Sequence, residues 1–63
     1  MDEIGDKIKQ ARVRAEMTQY QLAESAGVSQ PAISQIETGR HRLSLETLIK
    51  LAKALGIEPA ELL

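Results

Sequence analysis

Four times in this 63-residue chain the same local pattern recurs: an apolar residue, a capping residue, then a second apolar residue four places after the cap. The sets are Met17, Thr18 and Leu22; Val28, Ser29 and Ile33; Leu43, Ser44 and Leu48; and Ile57, Glu58 and Leu62. Each reads as a helix start, in which the cap takes up an orphan backbone N–H and the two apolar residues close a hydrophobic staple. Gln21 stands three residues after Thr18, completing a capping box. Pro31 and Pro59 fall in first turns, where a missing N–H costs nothing. Gly27, Gly39 and Gly56 are the matching stops. The break Gly27-Val28-Ser29 is too short for antiparallel neighbours, so the helices on either side of it must cross steeply.

Composition narrows what such helices can build. One domain fits in 63 residues, near the lower size for a core without staples. There is no cysteine and one histidine, so neither a disulfide framework nor a cysteine–histidine zinc site is available, and no cofactor or metal is expected. With no Phe or Trp and one Tyr, the interior must be aliphatic, and no strands are expected. The N-terminus alternates charges, and no apolar run is long enough to span a membrane, which suits a soluble cytoplasmic protein. A net charge of −1 weighs against a nucleic-acid partner if only the total is read. Yet Arg40, His41 and Arg42 lie together without an acid, whereas Asp2, Glu3, Glu58 and Glu61 sit at the chain ends. That distribution predicts a small basic face and modest non-specific DNA affinity.

Along the chain, Ile4, Ile8, Ala11 and Ala15 form one stripe of a first helix over about Asp2 to Ala15. Gly5 either lies in its frayed first turn or permits a close helix contact. Angular counting turns Leu22, Ala23 and Ala26 inward on the second helix, with Tyr20 and Glu24 outward. On the third it turns Ile33 and Ile36 inward and Pro31, Ser34, Gln35 and Thr38 outward, with Gln30 at the exposed start. Glu37 falls on the core side and needs a partner; Arg12, at the edge of the first stripe, is the cation best placed, unless both are simply solvated. A fourth helix over Leu45 to Leu55 carries Leu45, Leu48, Ile49, Ala52 and Leu55 as its apolar stripe, with Leu51 at the edge. A short fifth begins at Pro59. Leu62 and Leu63 then either cap the core or meet a second subunit.

The ordered set Gln19, Leu22, Ala23, Gly27, Val28, Ser29, Gln30, Ile33, Ser34, Ile36, Glu37 and Gly39 resembles the phage-repressor and Cro-like (XRE) helix-turn-helix DNA-binding family, and the likeness runs from about Ile4 to Leu62. The resemblance implies an all-α, lambda-repressor-like bundle of about five short helices in one domain, residues 1–63, with its helix-turn-helix core at 18–39. It further implies that the third helix enters the DNA major groove and that Arg12 and Glu37 form a partly buried ion pair. Gln30 and Gln35 carry amides that match the N6/N7 edge of adenine, Ser34 serves either base type, and Pro31 offers only an apolar contact. Thr18 and Gln19, at a helix N-terminus, together with Thr38, Arg40 and Arg42, are the candidates for phosphate contact.

The resulting expectation is a sequence-specific double-stranded DNA-binding regulator of transcription, a repressor acting as a homodimer on an inverted-repeat operator. Leu51, Leu62 and Leu63 are its possible dimer contacts. No catalysis is expected, since His41 stands beside Ser44 with no acid to orient it. The alternative is a protein-interaction or antitoxin-like module that works through the C-terminal apolar surface.

Overall fold

The computed structural model describes residues 3–40 and 42–63. Four α-helices follow one another, α1 (Glu3–Arg14), α2 (Gln19–Ala26), α3 (Gln30–Glu37) and α4 (Leu45–Leu55), and a 3-10 turn, Pro59–Leu62, closes the order. The described residues contain no strand. A start for α1 at Asp2, and His41 with its lack of a catalytic role, lie outside the described residues.

The recurring start signals all act as caps or staples. Thr18, Ser29 and Ser44 each accept a hydrogen bond from the backbone N–H three residues on, and Thr18 and Gln21 form the reciprocal box. Their staple residues Met17, Val28 and Leu43, with Ile57 before the 3-10 turn, are half-buried against the core, while the partners Leu22, Ile33, Leu48 and Leu62 are buried. At the other ends, Gly27 and Gly56 take left-handed backbone at φ 74° and 73°. The next N–H then reaches back five residues, Val28 to the Ala23 carbonyl and Ile57 to that of Ala52, each at 3.0 Å.

Helix α1 ends the same way without a glycine. Met17 N donates to the Arg12 carbonyl at 3.1 Å while Glu16 holds φ 57°, the one non-glycine residue at positive φ among the described residues. A β-carbon in that region costs about 1–2 kcal/mol, partly returned by the stiffer unfolded chain. Glu16→Gly is therefore expected to raise stability by about 0.5–1 kcal/mol in denaturant melts. An unchanged or lowered midpoint would show that the Glu16 side chain makes up for the backbone cost.

Where a fifth helix was expected there is a single 3-10 turn, in which Glu61 N donates to the Glu58 carbonyl at 2.9 Å. Four residues with i to i+3 bonding make one turn, too short for an α-helical ladder. The turn is still capped, because the Glu61 carboxylate accepts from Glu58 N at 2.9 Å.

Helix α4 departs further from the expected stripe. Leu51 is wholly buried with Leu48, Ala52 and Leu55, whereas Leu45 and Ile49 are 69% and 48% exposed. The buried arc of α4 is set by the elements packed against it, α2, α1 and the 3-10 turn. Leu45 and Ile49 sit about 70° and 110° round from the centre of that arc. Leu62 is likewise buried, at 1% exposure. Leu51 and Leu62 are thus core residues and are not available as dimer contacts, and an interaction module built on the C-terminal apolar surface loses two of its three residues. Leu63 is exposed, with its carbonyl accepting from Lys7 Nζ.

Gly5 lies in the buried part of α1, not in a frayed turn. A β-carbon there would stand 2.5 Å from the Ile36 carbonyl oxygen and 3.1 Å from that of Glu37. Absence of a side chain lets the backbone of α1 approach the backbone at the end of α3, which brings Arg12 within reach of Glu37.

Candidate nucleic-acid interface

Helix α3 turns Ile33, Ile36 and Glu37 into the protein and leaves Gln30, Pro31, Gln35 and Thr38 exposed, with Ser34 half-buried between them. An outer face of uncharged polar side chains is a poor choice for meeting water alone, where Glu and Lys favour the helix more. These groups have the donors and acceptors that base edges require.

Beneath that face, polar side chains join three helices. Arg12 Nε donates to Glu37 Oε2 at 2.7 Å and Arg12 Nη2 to Oε1 at 3.1 Å, a two-pronged pair with side chains 13% and 2% exposed. A third guanidinium donor, Nη1, goes to the Met17 carbonyl at 2.8 Å. Gln19 Nε2 donates to Glu37 Oε1 at 3.1 Å, and Gln19 Oε1 accepts from Gln30 Nε2 at 2.9 Å. The series Arg12, Glu37, Gln19, Gln30 therefore runs from the interior to the exposed N-terminal end of α3. Because Glu37 can only accept, Gln19 must give it the amide N–H; the Gln19 oxygen then faces Gln30 and selects the Gln30 nitrogen in turn. One Gln30 N–H is used in this way, and its second N–H and its oxygen are left for a ligand.

The series orients Gln30, a role for Gln19 that the sequence does not disclose, since periodicity within one helix carries no information about a side chain reaching to another. Thr18 uses its hydroxyl oxygen as the cap of α2, accepting from Gln21 N at 3.0 Å. The Thr38 hydroxyl is directed back to the Ser34 and Gln35 carbonyls, each at 3.1 Å. Arg40 and Arg42 are exposed in the loop after α3, and the Arg40 N–H closes the end of α3 on the Gln35 carbonyl at 2.8 Å. Among the described residues no group of three or more His, Asp or Glu side chains is placed to hold a metal, and no helix is long and apolar enough to cross a membrane.

Residues 8–62 match a family model described as Helix-turn-helix. The immunity repressor protein of Bacillus phage phi105 is 44% identical over 55 residues, covering 87% of this chain and 38% of the repressor. The control protein C.BamHI of Bacillus amyloliquefaciens is 38% identical over 60 residues, covering 94% of this chain and 74% of that protein. Among solved structures, the restriction-modification controller protein C.AhdI from Aeromonas hydrophila superposes with a TM-score of 0.95 at 33% identity, covering 97% of this chain and 92% of the other. The P22 c2 repressor, crystallised with the synthetic operator 9T, gives a TM-score of 0.89 at 35% identity, with 100% and 96% covered.

Proposed function

The chain belongs to the XRE-type helix-turn-helix family of DNA-binding transcriptional regulators, which are not enzymes, and from that footing we propose that it is a sequence-specific repressor reading the major groove with α3. The observation that carries this reading is the hydrogen-bonded series that starts at the buried Glu37 and ends on the exposed Gln30. It fixes an amide at the N-terminal end of α3, the part of a recognition helix that contacts base edges. The free oxygen and second N–H of Gln30 match the N6 donor and N7 acceptor of adenine. Gln35 and Ser34 lie on the same outer face, and Pro31 can meet a thymine methyl.

Holding falls to other groups. Arg40 and Arg42, exposed in the loop after α3, are the proposed phosphate contacts, and the N-terminal end of α2 at Thr18 and Gln19 is a further candidate through its backbone N–H groups. The net charge of −1 accords with modest affinity for random sequence, so that specificity rests on α3. Two copies on inverted half-sites one helical turn, about 34 Å, apart would double each contact. The operator bound by the P22 c2 repressor, similar over the whole of this chain, supports duplex DNA as the ligand.

Selection from a random duplex pool followed by two substitutions tests the division between reading and holding. Gln30→Ala is expected to cost about 1–3 kcal/mol on the selected site, to flatten preference at one base pair per half-site, and to leave random DNA nearly unaffected. Arg40→Ala is expected to weaken every sequence alike and to lower the magnitude of the salt slope by about 0.9 for each phosphate that Arg40 would neutralise. Equal loss on all sequences for Gln30→Ala would remove α3 as the reading head.

A further inference from the structure

Helix α1 turns Gly5 and Arg12 toward α3, and about 160° round the same helix it meets the last turn of the chain. There, between α1 and the 3-10 turn, runs an open groove of about 270 Å³. Its floor is aliphatic, with Ala11 and Ile57 half-buried over the buried Leu62. Lys7, Gln10 and Arg14 stand along the α1 side, and the helical rise sets Lys7 and Arg14 about 10 Å apart.

The polar groups of the groove are unequally engaged. Lys7 Nζ donates to the Leu63 carbonyl. Glu61, the one acid in the lining, accepts from Glu58 N at 2.9 Å and so serves its own turn. The Arg14 guanidinium and the Gln10 amide have no hydrogen-bond partner among the described residues. These two are one turn apart on α1, so their N–H groups can converge on a single acceptor group.

We propose that this groove binds a small amphipathic carboxylate, its head held by Arg14 and Gln10 and its aliphatic tail lying over Ala11 and Ile57. The planar guanidinium fork matches the two oxygens of a carboxylate. A bare inorganic anion would leave the aliphatic floor wet, and an apolar molecule without charge would leave Arg14 and Gln10 without an acceptor. An amine would meet two cations against one acid. The volume lies just below the roughly 300–1,000 Å³ of pockets for drug-sized ligands, so the occupant is a small molecule. An open groove covers only part of such a ligand, and the dissociation constant should be on the order of millimolar. Because the groove lies across α1 from the side that packs on α3, carboxylate and duplex can be bound at once, and the site stands apart from the DNA-reading assignment.

Nuclear magnetic resonance titration of the isotope-labelled full chain with octanoate, acetate and octylammonium, all below micelle-forming concentrations, tests the site. Octanoate should saturate, moving the amide signals of Lys7 to Arg14 and Ile57 to Leu62 together with the Arg14 Nε–H. Acetate, which lacks the tail, and octylammonium, which reverses the head, should bind at least about tenfold more weakly. Arg14→Gln, a change at an exposed side chain, should weaken octanoate about tenfold with helicity unchanged, and Ala11→Leu, which fills the floor, should abolish binding. Octanoate should bind the protein saturated with a pool-selected duplex as it binds the free protein. Shifts that never saturate or that spread over the whole surface overturn the proposal, as does octylammonium binding as tightly as octanoate. So does an Arg14→Gln protein that binds octanoate like the parent, or displacement of octanoate by duplex, which would put the carboxylate on the DNA face.

Discussion

Arg12→Ala is expected to lower the free energy of unfolding by about 3–5 kcal/mol, because it leaves the Glu37 carboxylate buried with one remaining donor, the Gln19 amide. The loss is not the value of the pair. Replacing both residues, as in Arg12→Met with Glu37→Leu, should recover most of it, since a buried ion pair gives back much of its Coulomb energy as desolvation and an apolar pair of similar volume avoids that cost. Denaturant melts of the two singles and the double close the cycle. A loss below about 0.5 kcal/mol for Arg12→Ala, the range of an ordinary surface change, would show that water reaches Glu37 freely. The double variant also separates stability from reading. It should fold well yet discriminate poorly at the Gln30 base pair, because Gln19 no longer has an acceptor to set its amide.

Gly5→Val is expected to cost at least about 3 kcal/mol, the upper end of what overpacking a core costs. The neighbour met at 2.5 Å is the Ile36 carbonyl oxygen, which is backbone and cannot turn aside as a side chain would. That oxygen also accepts from Gly39 N at 3.1 Å, so displacing it loosens the end of α3. Gly5→Ala should show a smaller loss, its clash partly offset by the roughly 1 kcal/mol by which alanine exceeds glycine in helix propensity. Thermal melts reporting stabilisation for Gly5→Ala, as at an open helical glycine, would contradict the close approach of α1 to α3. Because both substitutions act on the same end of α3, Gly5→Ala and Arg12→Ala should fall short of additivity when combined.

Where the helices begin and end is written locally in the chain. Caps, staples and left-handed stops act within about five residues, so Thr18, Ser29 and Ser44, with Gly27 and Gly56, mark in one dimension what the folded chain shows in three. The inward faces of α2 and α3 are equally legible, because their apolar residues are few enough that only one arc is possible. Helix α4 has apolar residues over more than half its circumference, and there angular counting alone mistook Leu45 and Ile49 for core and Leu51 for an edge. Which arc is buried depends on where α2, α1 and the last turn come to lie, and that is decided only when all of them pack. The same holds for Gly5 against Ile36 and for Gln19 between Glu37 and Gln30: these contacts join residues 31, 18 and 11 places apart. Their geometry follows from the steep crossing of separate helices, a property that no periodicity within one helix contains.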